Sequence, residues 1–242
     1  MNSVVTPYKD KTTSKKEQVA AMFNNVAPKY DFLNQLLSLG IHKSWRRKAI
    51  EFLQKDRPKF ILDIATGTGD FAIAAMKLHP EKVIGIDISE GMLALGIKKI
   101  KKLHLENKIE LALGDSENLN FENNTFDAIT VGFGVRNFEN LEKGIADIYR
   151  VLKPGGTFVV LEFSKPTKFP IKQVYHLYFK HITPTIGKLF SKDKSAYTYL
   201  PASVNAFPDG EDFLAVLKKA GFIDTIAKQQ TFGVATIYIG KK

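Results

Sequence analysis

From Lys59 onward, short apolar runs alternate with segments of helical periodicity. Phe60 to Ala65, Val83 to Asp87, Ile109 to Leu113, Phe126 to Gly132 and Thr157 to Phe163 read as strands. Between them Asp70 to Leu78, Ser89 to Leu103 and Asn140 to Val151 read as helices. This rhythm predicts an α/β fold with a mostly parallel sheet covered on both faces. Ahead of it, Ser14 to Gln54 is mostly helical, interrupted near Pro28 and Gly40, with Leu33, Leu36 and Leu37 forming an apolar stripe. After it, Pro170 to Ser195 reads as an amphipathic helical stretch, with Ile171, Val174, Tyr175, Tyr178 and Ile182 on one stripe. A helix near Asp209 to Ala220 stops at Gly221. Phe222 to Ala227 and Thr231 to Ile239 then read as strands whose short connection predicts an antiparallel pair at the sheet edge.

The first strand ends in the chain's most informative turn, Asp63-Ile64-Ala65-Thr66-Gly67-Thr68-Gly69-Asp70. Gly67 and Gly69 let a ligand approach the backbone at the carboxyl end of a strand. The second strand ends in Asp87, 20 positions after Gly67, where an acid takes ribose hydroxyls. A nucleoside-containing cofactor is therefore expected, and two kinds fit. Gly67-x-Gly69-x-x-Ala72 matches the dinucleotide fingerprint. Yet Asp63 and Asp70 flank the turn, and no Lys or Arg is near it in sequence. Carboxylates repel a pyrophosphate but suit the ammonium and sulfonium charges of S-adenosylmethionine (SAM), which is the favoured cofactor. A sheet closed by an antiparallel pair points the same way, by fold analogy.

Composition narrows the field only slightly. The 242 residues, 44% hydrophobic and 25% charged, are ordinary for a globular protein. Without cysteine there is no disulfide, thiolate metal site or cysteine nucleophile. Met1 to Lys16 lacks the apolar core of a signal peptide, and no apolar run approaches a membrane span, so a cytoplasmic protein is expected. Residues 1–16 read as a flexible terminus and 17–242 as one domain, with a helical cap at 17–56 and an insertion or lid at 165–205. The net charge of +10 suits a nucleic acid or an anionic lipid surface, or is simply a lysine-rich solvated face.

Other strand ends supply candidate chemistry, because they line the crevice of an open sheet. Asp115 is placed to accept from an adenine amino group and Ser116 to meet the ring edge, although both also suit an ordinary turn. Gly132-Phe133-Gly134-Val135-Arg136-Asn137 thins the crevice wall and adds a permanent cation, Arg136. Glu162 and Ser164 follow at the end of the fifth strand. The five histidines lack convincing metal spacing, so no metal is expected. The lysines and aromatics between Lys165 and Lys194 suit single-stranded nucleic acid, a membrane interface or plain packing on the sheet.

Tyr30-Asp31-Phe32-Leu33-Asn34 with Ser38, Gly40, His42 and Trp45 resembles one signature of the ubiquinone/menaquinone biosynthesis C-methyltransferases. Arg150-Val151-Leu152-Lys153-Pro154-Gly155-Gly156, running to Leu161-Glu162-Phe163-Ser164, resembles another. Phe133 to Asn137, Lys165-Pro166 and Tyr197-x-Tyr199-Leu200 also look like that family, and the resemblance covers Val19 to Ile239. It implies a class I SAM-dependent methyltransferase (Rossmann-like) fold with added N-terminal helices. It also implies methyl transfer to a ring carbon of a prenylated quinol, with SAM contacts at Thr68, Asp87, Asp115 and Ser116. Gly132 stands where some relatives carry serine, and Ala65 where glycine is common, a departure that a methyl group should tolerate. In that reaction Arg136 stabilises the developing phenolate, and His176, Asp31 and Tyr197 are candidate proton acceptors. The expected partners are the quinol and an anionic membrane surface, with self-association open and no nucleic acid. The rival readings are an RNA methyltransferase and a non-catalytic SAM- or lipid-binding accessory protein.

Overall fold

In a computed structural model the described residues are 5–8, 12–178 and 195–242. Four helical segments come first: α1 (Lys15–Val26), a short 3₁₀ turn (Ala27–Lys29), α2 (Tyr30–Ser38) and α3 (Ile41–Glu51). Ser14 caps α1 in a capping box with Glu17, so the helix starts ahead of residue 17. Pro28 sits in the 3₁₀ turn, and left-handed Leu39 and Gly40 separate α2 from α3.

The alternating elements follow: β1 (Phe60–Ile64), α4 (Asp70–Ala75), β2 (Lys82–Asp87), α5 (Glu90–Lys102), β3 (Ile109–Leu113), β4 (Phe126–Gly132), α6 (Leu141–Val151) and β5 (Leu152–Phe163). Then come α7 (Ile171–Leu177), α8 (Ser195–Ala206), α9 (Glu211–Lys219), β6 (Ile223–Gln230) and β7 (Ala235–Lys241). The sheet order is β3-β2-β1-β4-β5-β7-β6, parallel except where β7 pairs antiparallel with β5 and β6. The expected fold and edge pair are thus present. Order reverses between β1 and β4, and that switch point places a ligand crevice at their carboxyl ends.

The central strands are buried on both faces. Leu62, Ile64, Val131, Phe158, Val160 and Tyr238 pack toward α6 and α9. Alternate residues Ile61, Ala128, Val159, Leu161 and Ile237 pack toward α3 and α4. Several boundaries differ from expectation, β6 for one running on to Gln230. Leu152 already pairs with Phe126, and the chain loops through Pro154 and Gly155 before Thr157 rejoins opposite Ala128. At the other edge, β7 begins late because Thr231 to Gly233 forms a 3₁₀ turn with Phe232 in the left-handed region. Helix α8 falls in a stretch for which no separate helix was expected.

One local fit is testable. Ala65 adopts φ +53°, a conformation that favours glycine, so its methyl group is strained rather than neutral. A Cβ on Gly134 would lie 2.5 Å from the Ala65 Cβ. Gly134→Ala should therefore destabilise the fold by about 1–3 kcal/mol. Adding Ala65→Gly should recover most of that loss in urea titrations, whereas additive losses would contradict the pairing.

Candidate active site

The glycine turn is held by two acids. Fully buried Asp63 accepts from Thr66 Oγ1, from Thr130 Oγ1 at 2.8 Å and from the Ala72 N–H at 3.1 Å. Burial pushes its carboxyl up to about 6, against the pull of those hydrogen bonds. Asp87 accepts from Gly67 N–H on one oxygen and from Ser89 N–H on the other, both at 2.8 Å. Burial raises its pKa as well. Together they fix Gly67 (φ +57°) and Gly69 (φ +79°) in conformations that favour glycine.

The front of the turn is not the bare acidic patch that the sequence suggested. Asp70 pairs with Arg46 of α3 at 2.9 Å and with Lys99 of α5 at 2.8 Å. Burial acts to raise its pKa, but these cations prevail and lower it. Lys99 also meets Asp31 at 2.6 Å and Thr68 Oγ1 at 2.9 Å, and Thr68 in turn donates to Asp31 at 2.7 Å. The pairing is long-range: cations remote in sequence neutralise the acid beside the glycines.

A cleft of about 370 Å³ opens above the turn. Thr66, Gly67, Thr68, Gly132 and Phe133 form its floor, and Tyr30, Asn34, Ser38, His42 and Arg46 its cap side. Ile171, Val174, Tyr175 and Tyr178 close another side. The apolar stripe of α7 therefore covers the cleft, and Tyr178 Oη ties it to α2 by donating to Leu37 O at 2.6 Å. Ile182 and Lys180 lie outside the described residues.

Arg136 sits in the cleft wall with only 7% of its side chain exposed. Its Nη1 donates to fully buried Glu162 at 2.8 Å and to the Phe133 carbonyl. The guanidinium carbon lies 5.7 Å from the Phe163 ring centroid, and Nε is buried without a hydrogen-bond partner. Burial raises the Glu162 pKa, opposed by Arg136. Glu162, which the sequence marked only as facing a ligand, instead anchors the cleft cation.

Several expected site residues lie elsewhere. His176 is exposed on the face of α7 turned away from the cleft. Asp31 is committed to Thr68 and Lys99. Asp115 pairs with Lys16 at 2.6 Å, and neither it nor Ser116 lines the cleft. Asp63 and Asp87 are not among the residues that line the cleft but hold the turn by hydrogen bonds, and Gly69 caps α4. Tyr197 does line the cleft, joined by Tyr199, whose pKa burial pushes up to about 12. A Cβ on Gly132 would lie 2.5 Å from the Phe71 ring, so serine fits there only if Phe71 moves.

The cofactor fit can be judged from these walls. A nucleoside cofactor needs close backbone approach, and left-handed Gly67 with side-chain-free Gly132 provides it. SAM also carries a carboxylate, and Arg46 faces the cleft with Asp70 as its ion-pair partner. The donor set fits.

Sheet order, edge pair and glycine turn at the switch point define the class of fold, the Rossmann-like one found in SAM-dependent methyltransferases. The chain belongs to the ubiE/COQ5 methyltransferase family, whose model matches residues 11–242. It is 54% identical over 229 residues to a demethylmenaquinone methyltransferase of Bacteroides fragilis, covering 94% of each chain. It is 44% identical over 232 residues to the ubiquinone/menaquinone biosynthesis C-methyltransferase UbiE of Geobacter sulfurreducens, covering 95% of this chain and 90% of that one. Among solved structures it resembles a SAM-dependent methyltransferase of Thermotoga maritima, described as a possible histamine N-methyltransferase. That match has a TM-score of 0.62 and 20% identity, and covers 92% of this chain and 99% of the other.

The brace at Asp63 has a pH signature. Its folded pKa lies above the unfolded value of 3.8, so the native state binds the proton more tightly. Stability contributed by that proton is complete below 3.8 and is lost as pH rises through about 6. The loss is on the order of 3 kcal/mol. Asn can keep all three contacts if its Oδ1 accepts from Thr66 and the Ala72 N–H and its Nδ2 donates to Thr130, whose hydroxyl can turn to accept. Asp63→Asn should fold normally and lack this decline in thermal melts, and a persisting decline would contradict the role assigned to Asp63.

Proposed function

We propose that the chain transfers a methyl group from SAM to a ring carbon of a demethylated prenyl quinol, either demethylmenaquinol or its benzoquinol equivalent. One observation carries this reading: Arg136 is set into the wall of an apolar, tyrosine-rich cleft that also contains the cofactor turn. The names of the B. fragilis and G. sulfurreducens relatives support the same substrate class.

SAM supplies an electrophilic methyl group on a sulfonium sulfur. The Thr66 to Thr68 turn, Gly132 and Arg46 would hold it, while Asp87 keeps a lone pair on each oxygen for ribose hydroxyls. A quinol ring carbon attacks well only once a neighbouring hydroxyl is ionised. With a phenolic pKa of about 10, that ionisation costs roughly 4 kcal/mol at neutral pH. Arg136 lowers this cost, because its guanidinium is already oriented by Glu162 and needs no reorganisation. The apolar lining limits the water around the reacting atoms, which strengthens that interaction.

The prenyl tail needs an apolar route out. Leu33, Leu37 and Ile41 line the cap side of the cleft, Val174 lines it from α7, and Leu39 at its lip is 88% exposed. Phe169, preceding α7, is 81% exposed. These residues, with exposed Lys172, support contact with an anionic membrane surface from which the substrate is drawn. Among the described residues, no helix is long and apolar enough to cross a membrane.

The functional test offers methyl-labelled SAM with a demethylated naphthoquinol, its benzoquinol counterpart and bulk RNA. Label should appear in a quinol ring, whereas label in RNA, or in none of the three, would contradict the reading. A second test separates the two roles of Arg136. Arg136→Ala should cost about 3–5 kcal/mol of stability by leaving Glu162 buried and unpaired. Turnover should fall by about 10²–10³-fold. Adding Glu162→Ala should restore most of the stability but none of the turnover, and recovery of both would remove Arg136 from the chemistry.

A further inference from the structure

We propose that His42 is the general base of this enzyme, held in the required tautomer by Ser38. The proposal rests on the quinol reading above and adds the group that takes the proton. His42 lines the cleft on the first turn of α3, beside Asn34, Ser38 and Arg46.

A chain of hydrogen bonds sets its protonation. Ser38 Oγ lies 2.6 Å from the Asn34 carbonyl oxygen, which can only accept, so the hydroxyl proton points there. The same Oγ accepts from Gly40 N–H at 3.2 Å and lies 2.5 Å from His42 Nδ1. With its only proton committed, Oγ faces Nδ1 as an acceptor, so Nδ1 carries the ring hydrogen. That leaves Nε2 as a bare lone pair, with no protein partner among the described residues. A neighbouring group thus fixes which nitrogen is basic, as in other orienter–histidine pairs.

The other candidates for this role fail on placement or chemistry. His176 faces away from the cleft, and Asp31 is bound by Thr68 and Lys99. A tyrosine such as Tyr197 holds its proton at neutral pH and so cannot accept another. The charged groups around His42 are Arg46 and Lys43 on its own helix, Asp31 on α2 and Asp70 on α4. Tyr30, Tyr175 and Tyr178 face the same cleft from α2 and the α7 segment. Burial and then Arg46 lower the imidazole pKa, so the ring is neutral and ready at pH 7.

The step balances without a redox partner. Nε2 takes the hydroxyl proton, and the O–H electron pair moves into the ring. The unsubstituted ring carbon ortho to that oxygen would then bond the methyl carbon, the S–CH₃ pair leaving with sulfur as a neutral thioether. The methylated carbon then releases its own proton to water, its C–H pair restoring the aromatic ring. The imidazolium returns its proton to the ring oxygen.

The test compares parent, His42→Gln and the surface control His176→Gln with a demethylated naphthoquinol across pH, alongside calorimetric SAM binding. The parent should lose activity on an acid limb below pH 6.5, where the imidazole protonates. His42→Gln should lose about 10²–10⁴-fold in turnover at neutral pH and lose that limb. Its remaining rate should climb with hydroxide, and its SAM affinity should stay within about threefold of the parent. His176→Gln should match the parent. If His42→Gln keeps parental turnover and the acid limb, the proposal is overturned while the quinol reading stands. A parent that binds SAM but methylates no quinol overturns both. Nitrogen-15 NMR of the histidines needs no variant: the Nδ1–H tautomer at His42 is expected, and an Nε2–H tautomer would overturn the proposal.

Discussion

The structure depends on a glycine turn held in a strained shape by two buried carboxylates, Asp63 and Asp87. Asp63 and Asp87 bring two donors from within the turn, the Thr66 hydroxyl and the Gly67 N–H, and three from around it to fixed positions. The benefit is a backbone that presents its amides and glycines at the sheet switch point without relaxing. The turn is also where the cap is latched, since Thr68 reaches Asp31 on α2 and Asp70 reaches Arg46 on α3. Loss of the brace would therefore loosen cofactor site and lid together.

Electrostatics in the cleft follow one rule: each fixed cation has an assigned counter-charge. Arg136 has Glu162, Arg46 has Asp70, and Lys99 bridges Asp70 and Asp31. A sulfonium cofactor thus enters a cleft whose own charges are matched, instead of the acidic cradle that the local sequence suggests. The uncharged remainder, tyrosines and aliphatic residues, keeps the dielectric low around Arg136, where the proposed phenolate would form. In such a place a guanidinium fixed by a buried carboxylate acts over short range at full strength.

The parallel strands and the antiparallel edge pair were legible because short apolar runs and glycine stops are local signals. Ile109–Leu113 and Phe126–Gly132 fall at the expected residues. The start of β5 was not legible, since Leu152 joins the sheet through a looped-out Pro-Gly segment that reads as a plain turn. At the site, the turn and Arg136 were visible as motifs. The ion pairs of Asp70 were not, because Arg46 and Lys99 come from elements 24 residues before it and 29 after. His42 was visible within the polar stretch from Tyr30 to Arg46 and was weighed as a metal ligand, but not as a base. Its four-residue spacing from Ser38 was the available clue, obscured by the helix break at Leu39 and Gly40. His176 was misplaced because periodicity gives a helix its stripe but not the direction that the stripe faces.

The central claim is that one cleft, floored by the braced turn, receives the cofactor. The most direct measurement is a titration of nitrogen-15-labelled protein with S-adenosylhomocysteine, followed at backbone amides. Saturable shifts should concentrate at Gly67, Thr68, Gly132 and Phe133, with NAD causing none. Shifts absent from those four amides, or produced there by NAD instead, would contradict the account.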